Sequence, residues 1–463
     1  MSQPVSLPRR TRIGYGLGSV ATGSFGTVPG LLLLPFLTDT IGVLPALAGL
    51  IVLLPKAWDV VLNPIAGRIS DASTHPGGRR RPFLLRAGAA LAVLFALLFA
   101  GPTAPTWLGA AWVAVAFLAC ATAYAFFQVP YVAMPAELTD DYAERTRLMT
   151  WRVAILALAI LISGGLSPAI RDAGGETWGY RSVGVFVGLL ILLGTYAAWR
   201  GTAGVPLREV PAPSAGLREQ LRLVAARRDF RLLLTTFVLQ ALATGCMLAG
   251  VDYVARWVIG REGAATILFI CFVGPALVVT PLWQMIGARV GKRTGYLAAS
   301  ALLLLGALAV YAARGPALLP LALAVAVVGV GYAGAQMFPM AMLPDVAAVD
   351  AARTGQNRIG VFTGVWTGAE TLGLALGPGL YAAVLAWGGY AASTGGEVAQ
   401  SARAVDAIHL GFSLVPAVII AVSLVVIARY DLDEQTVRAS TASLRHDRIP
   451  DRERGRAPRT EGP

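Results

Sequence analysis

Apolar runs of membrane length recur from one end of this 463-residue chain to the other. A helix needs about 20 apolar residues to cross a bilayer, and in lipid its backbone polar groups must be satisfied internally. Uninterrupted runs of that length therefore dictate an all-α polytopic membrane protein. A β-barrel would instead alternate apolar and polar residues in short strands. Composition agrees: 56% of residues are hydrophobic, only 14% are charged, and mean hydropathy is +0.65. A soluble domain carries about a quarter charged residues.

The net charge of +12 does not point to nucleic acid. The basic residues sit in short loops between spans, where the positive-inside rule puts them. Cys120, Cys246 and Cys271 lie inside apolar runs and read as small packing residues. His75, His409 and His446 are scattered, and no spacing for zinc, haem or a catalytic triad occurs. No enzyme, cofactor or metal centre is expected from these residues. The basic N-terminus lacks a cleavage site after a short apolar core, so no signal peptide is expected.

Residues 1–11 form a polar N-terminal arm, and 12–200 hold six spans, near 12–38, 44–70, 82–101, 107–134, 147–170 and 182–199. Residues 201–230 read as a proline-containing linker followed by an interfacial helix, LREQLRLVAARRDFR. Six more spans occupy 231–428, near 231–255, 264–287, 295–313, 316–341, 359–386 and 407–428. The tail, 429–463, mixes Arg, Asp, Glu and Pro without apolar periodicity and reads as disordered. With an even number of spans, the arm, the tail and the basic loops share one side, the cytoplasmic one.

The two halves repeat. Pro135, Glu137 and Arg145-Thr146 recur as Pro344, Asp345 and Arg353-Thr354, with the same interval from acid to arginine. The loop GGRRRP before the third span is loosely matched by GKRTG before the ninth. One six-helix unit therefore occurs twice in the same orientation, as in parallel-repeat transporters with a midplane site between the halves.

The second span carries the chain's most informative stripe. Lys56, Asp59 and Asn63 fall at i, i+3 and i+7, on one helix face. A charge at the centre of a membrane helix costs about 2.5–3.5 kcal/mol on insertion scales, so such a stripe faces a pathway or a partner. A carboxylate there binds Na+ by coordination or H+ by titration; the alternative is a static Lys56–Asp59 salt bridge. Asn63 offers an amide oxygen but no titratable group. Arg152 suits an anionic or hydroxylated substrate, or pairs with Asp59 or Glu370. Glu370, mid-helix in TGAETLGLALGPG, should face the interior. Gln128 is the best cavity candidate beside Gln240 and Gln336. Tyr124, Trp151 and Trp366 offer rings for stacking on sugars or for packing. Asp252 and Arg256, at i,i+4, read as a gate or interface pair.

The segment WDVVLNPIAGRISD after Lys56, the run FPMAMLPDV (Phe338 to Val346) with DAARTGQNRIG, and YGLGSVATG with FLTDTIG together resemble the glycoside–pentoside–hexuronide:cation symporters of the major facilitator superfamily. The sodium-dependent lysophospholipid symporters are also similar. The likeness covers nearly all of 12–428. It implies a major facilitator fold: twelve transmembrane helices in two six-helix bundles, in the cell membrane, with both termini cytoplasmic. The expected activity is secondary active transport, a Na+- or H+-coupled symport of a sugar, glycoside or related small solute by alternating access. The expected partners are that solute and the lipid bilayer, with the chain a monomer. Asp59 falls on the first of two helix-2 aspartates of the family's cation site, and the second falls on Asn63. Arg152 matches a basic residue of the sugar site. The acidic helix-1 sugar ligand falls on Gly23, and the helix-4 ligands fall on Gln128 and Val132. Helix 11 lacks the expected lysine and has Glu370. Because these ligands differ, export of an amphiphilic or drug-like metabolite, or lysolipid transport, is the alternative. The resemblance also implies that Arg79, Arg80 and Arg81 pair with Asp71, Glu137 or Asp140 to hold one gate, with Arg145, Asp345 and Arg353 at equivalent positions.

Overall fold

The computed structural model describes residues 7–75, 78, 80–139, 142–205, 222, 226–261, 263–354, 359–394 and 398–432. Among the described residues there is helix and turn but no strand. Twelve helical units follow in chain order: α1 (Arg9–Thr40), α2 (Pro45–Asp71), α3 (Arg81–Leu98), α4 (Thr106–Leu138), α5 (Arg147–Gly175), α6 (Trp178–Gly201), α7 (Arg228–Ile259), α8 (Ala264–Val290), α9 (Lys292–Ala312), α10 (Leu318–Thr354), α11 (Ile359–Gly388) and α12 (Ala402–Ala428). Eleven are long and apolar enough to cross a membrane. The exception is α2, whose second half carries Lys56, Asp59, Arg68 and Asp71 and so interrupts its apolar run.

Helices α1–α6 pack chiefly on one another, and so do α7–α12. This is the two-bundle arrangement expected from the repeat. Without a hydrophobic drive between helices in lipid, close packing depends on small residues. The crossing of α7 and α11 shows this: a Cβ added to Gly377 would lie 2.3 Å from the Gly245 carbonyl carbon. Between the bundles, α1 meets α7, α2 meets α11 and α5 meets α8.

The sequence reading placed a loop between spans ending near 170 and starting near 182. The chain does reverse there, in a turn reduced to Gly175, φ 64° and ψ −174°, between α5 and α6. Only glycine adopts that conformation readily. It folds α6 back on α5 so tightly that a Cβ on Gly179 would lie 2.3 Å from the Arg171 carbonyl oxygen.

Successive helices reverse direction, so the ends of α1, α5, α7 and α11 share one face with Asp39, Arg171, Asp252 and Tyr390. This is the Asp39 face. The opposite, Arg80 face carries Arg12, Arg80, Glu144, Arg228, Lys292 and Arg353. Residues 206–221 and 433–463, where the sequence suggests most of the linker helix and the tail, lie outside the described residues.

Candidate functional site

The α2 stripe buries Asp59, which is 4% exposed, while Asn63 one turn further is exposed. Lys56 Nζ lies 3.8 Å from Asp59 Oδ2 and 5.6 Å from the centroid of the Phe25 ring. The helix thus compensates its own carboxylate at i,i+3. The other carboxylate oxygen, Oδ1, is buried without a hydrogen-bond partner among the described residues.

Helix α4 runs parallel to α2 and supplies the next polar groups. Trp58 Nε1 donates to Thr122 Oγ1 at 3.2 Å, Leu62 and Ala66 bury against Ala125, and Val129 lies beside Gly67. This register sets Tyr124 at the depth of Asp59, with which it interacts electrostatically. It sets Gln128 about one turn further, at the depth of Asn63. Gln128 Oε1 is also buried without a partner. Asp59, Asn63 and Gln128 thus place oxygen-bearing side chains at neighbouring depths on two adjacent helices, the donor type that Na+ accepts. Lys56 supplies the positive charge that a bound cation would have to displace or tolerate.

Arg152 of α5 lies with its guanidinium 5.4 Å over the Tyr131 ring. Tyr131 is fixed by a 2.9 Å hydrogen bond with Ser19, a 2.8 Å bond to the Tyr15 carbonyl and stacking on the Tyr15 ring at 4.7 Å. The guanidinium also reaches Met149 Sδ at 3.9 Å and interacts electrostatically with Tyr15 and Tyr124. Among the described residues no carboxylate pairs with Arg152, so the expected alternative pairing with Asp59 or Glu370 does not occur in this state.

Two ring candidates separate. Trp151 is 39% exposed, whereas Trp366 is fully buried and stacks on Phe237 at 4.4 Å. Trp366 is therefore corrected from a substrate-stacking candidate to a core residue of the α7–α11 crossing. Tyr124 packs on Phe25 at 4.5 Å and is half-buried. Gln240 is likewise structural, since it donates to Ser300 and Ser423 and accepts from Tyr296. Gln336 donates to Tyr332. Glu370 of α11 is half-buried and makes no hydrogen bond or ion pair among the described residues.

At the Arg80 face, Arg80 is 7% exposed and gathers three partners. It lies 2.6 Å from Asp71, 2.8 Å from Glu137 and 2.8 Å from Ser70 Oγ. Arg81 instead donates to the carbonyls of Thr202 and Val205, tying α3 to the end of α6. In the second bundle the same two helix ends are joined by Lys292 and Asp345, 2.6 Å apart. Arg353 does not join that pair; it is exposed and lines a cleft with Arg227, Asp229 and Asp350. Arg79 and Asp140 lie outside the described residues, as does the side chain of Arg145.

The Asp39 face holds a cluster that sequence reasoning saw only in part. Arg256 reaches Asp39 Oδ2 at 3.5 Å and Asp252 Oδ2 at 3.1 Å. Arg171 of α5 pairs with Asp252 of α7 and with Asp172 at 2.6 Å. Tyr390 donates to Asp39 Oδ1 at 2.7 Å, and Thr38 bonds Tyr253 at 2.7 Å. Burial and the neighbouring Asp39 carboxylate push the Tyr390 phenol well above its ordinary range, so it remains a donor at physiological pH. The Asp252–Arg256 spacing was legible; Asp39, Arg171 and Tyr390 as their partners were not. The available signal was a lone charge inside each of two apolar spans. Hydrogen bonds and ion pairs between described residues of the two bundles gather at this face.

A family model described as MFS/sugar transport protein matches residues 14–434. The chain is 27% identical to "Uncharacterized symporter sll1374" of Synechocystis, over 86% of this chain and 89% of that protein. It is 26% identical to "Putative glycoside/cation symporter YagG" of Escherichia coli, over 95% of each. Among solved structures it is similar to a bacterial homolog of the human lysosomal transporter Spinster, in an inward-facing and unoccupied conformation. The TM-score is 0.66 at 16% identity, covering 96% of this chain and 99% of that one. That likeness extends to the fold, the major facilitator arrangement of two six-helix bundles.

Proposed function

The chain belongs to the MFS/sugar transport protein family, a family of transporters and not of enzymes, and from that premise we propose a cation-coupled symporter of a glycoside or related sugar, working by alternating access. The full-length likeness to a putative glycoside/cation symporter supports the substrate class. The observation that carries the mechanism is the interlocked set of polar links that closes the two bundles on each other at the Asp39 face. Two bundles held by a polar lock at one end can rock about a site between them when that lock breaks and reforms. The basic helix ends at the Arg80 face favour the cytoplasmic side, so both termini are cytoplasmic, the membrane is the bacterial inner membrane, and this state opens inward. The chain acts as a monomer.

In this reading Asp59, Asn63 and Gln128 offer oxygens to the coupling ion, Na+ or H+, beside Lys56. Arg152, which has no carboxylate partner among the described residues, and the exposed Trp151 ring suit the hydroxyls and face of a sugar. Loading the cation site changes the charge between the bundles, and loading the sugar site adds contacts that differ between the two states; both bias the rocking. The test is uptake into proteoliposomes of radiolabelled methyl-β-glucoside, methyl-β-xyloside and methyl-β-glucuronide under an imposed Na+ or pH gradient. Accumulation of at least one above equilibrium, dependent on the gradient, is expected. Equilibration or exclusion of all three, regardless of gradient, would overturn the proposal.

A further inference from the structure

The α2–α11 contact fixes the depth of Glu370. A Cβ on Gly49 would lie 2.7 Å from Ala382 Cβ and 3.5 Å from Gly379 Cα, so the antiparallel helices cross there, near the Asp39 face. From Gly49 to Asp59 is ten residues, about 15 Å of helix. From Gly379 to Glu370 is nine residues in the matching direction, about 14 Å. Asp59 and Glu370 therefore lie at one depth, one on each bundle.

Their surroundings differ. Asp59 has Lys56 as its counter-charge. Glu370 has none among the described residues, and its one electrostatic neighbour is the Tyr332 hydroxyl of α10, which accepts from Gln336 at 2.8 Å. The helices packed on α11 carry their other charges away from this depth: on α10 Asp345, Asp350 and Arg353, and on α2 Arg68 and Asp71, lie towards the Arg80 face. On α7 the charged groups are Arg228, Asp229 and Arg231 at one end and Asp252 and Arg256 at the other. On α12 Arg403, Asp406 and His409 lie towards the Asp39 face, and on α1 Arg9, Arg10, Arg12 and Asp39 occupy the ends. On α2 Lys56 is committed to Asp59.

A polar stripe leads away from Glu370. Thr363, Thr367 and Glu370 fall at i, i+4 and i+7 and form one polar stripe on α11. Thr363 and Thr367 are exposed, and Gly364 and Gly368 beside them have no atom within 4 Å of a would-be Cβ. Polar stripes of this kind line interior pathways, since lipid offers a carboxylate no partner. The stripe runs towards the Arg80 face, opposite the polar lock of the Asp39 face.

We infer that Glu370 is a proton-carrying group of the second bundle, separate from the Lys56–Asp59 pair of the first. This deepens the symport reading and rests on it for its role in transport. The step is simple: a proton from water on one side forms an O–H bond with the Glu370 carboxylate, neutralising it, and the bond breaks to release the proton to water on the other side. Neutral Glu370 can enter the dry interface as the Arg80 face closes, whereas the uncompensated anion opposes that closure.

Two arms test this. Infrared difference spectra of the purified wild type across a pH step should show a protonated-carboxyl C=O band. The band should be lost in Glu370→Gln and kept in Asp59→Asn and Glu370→Asp. In proteoliposomes, Glu370→Gln should lose pH-gradient-driven accumulation of the methyl glycosides while substrate counterflow stays within about twofold of wild type. Glu370→Asp should retain driven uptake. A carboxyl band unchanged in Glu370→Gln, or accumulation by that variant equal to wild type, would overturn the inference. If the wild type accumulates none of the glycosides, the symport reading fails, and the infrared arm still decides whether Glu370 carries the proton.

Discussion

Arg256 of the second bundle faces Asp39 of the first at 3.5 Å, and Tyr390 holds the other Asp39 oxygen at 2.7 Å. With Arg171 and Asp252 alongside, two cations and two anions interlock across the bundle boundary. Each charge is compensated by one from the opposite bundle, so this end can open only by separating ions.

Removing one member should therefore favour the other state. Arg256 is about one-third exposed, which discounts the pair to about 1–2 kcal/mol, or about a tenfold shift in population. Spin labels at Ala173 and Arg261, both exposed near this face, should report a longer inter-bundle distance in Asp39→Asn than in wild type. An unchanged distance distribution would show that apolar packing, not the ion pairs, holds the face.

The repeat places equivalent ion pairs at the ends of α3 and α4 and of α9 and α10, but burial makes them unequal. Arg80→Ala removes a buried ion partner of Glu137, which is 1% exposed, and should destabilise by about 3 kcal/mol. Lys292→Ala acts on a side chain 47% exposed and should cost about 0.2–1 kcal/mol. Thermal unfolding in detergent checks the order; equal losses would contradict it.

Asp59→Asn should abolish cation-stimulated uptake while leaving exchange of substrate, because coupling and binding need not share every residue. Lys56→Gln combined with Asp59→Asn is the folding control, since it leaves no uncompensated charge. Asn63→Asp adds a second carboxylate one turn from the first and should raise Na+ dependence. The readout is initial uptake rate against Na+ concentration at fixed pH. An Asp59→Asn protein with the wild-type Na+ curve would place the Na+ site elsewhere.

Gly377→Ala should loosen the α7–α11 crossing. The added methyl would meet backbone atoms of Gly245 and Cys246 at 2.3 and 2.4 Å, and backbone cannot yield as a side chain does. A loss of about 1–3 kcal/mol is expected, read as a lower unfolding temperature. Gly368→Ala, on the same helix but in open space, should leave that temperature unchanged.

The all-helical class and the repeat were legible in the sequence because both are local. Bilayer thickness sets the length of each apolar run, and the duplicated spacing of Glu137 and Asp345 needs no contacts to be seen. The same holds for the Lys56–Asp59 pair, since i,i+3 neighbours on a helix meet whatever surrounds them. Partners more than a turn apart were decided by the tertiary structure. Trp366 and Trp151 look alike in sequence, yet one is stacked in a helix crossing and the other stays accessible. Asp39 acquires its meaning from Arg256, more than 200 residues away. Sequence alone determined that charges lay inside membrane spans and had to be neutralised. Which charge met which, and that Glu370 met none among the described residues, followed from helix register and bundle packing, because Coulomb and hydrogen-bond terms depend on distances that only the fold sets.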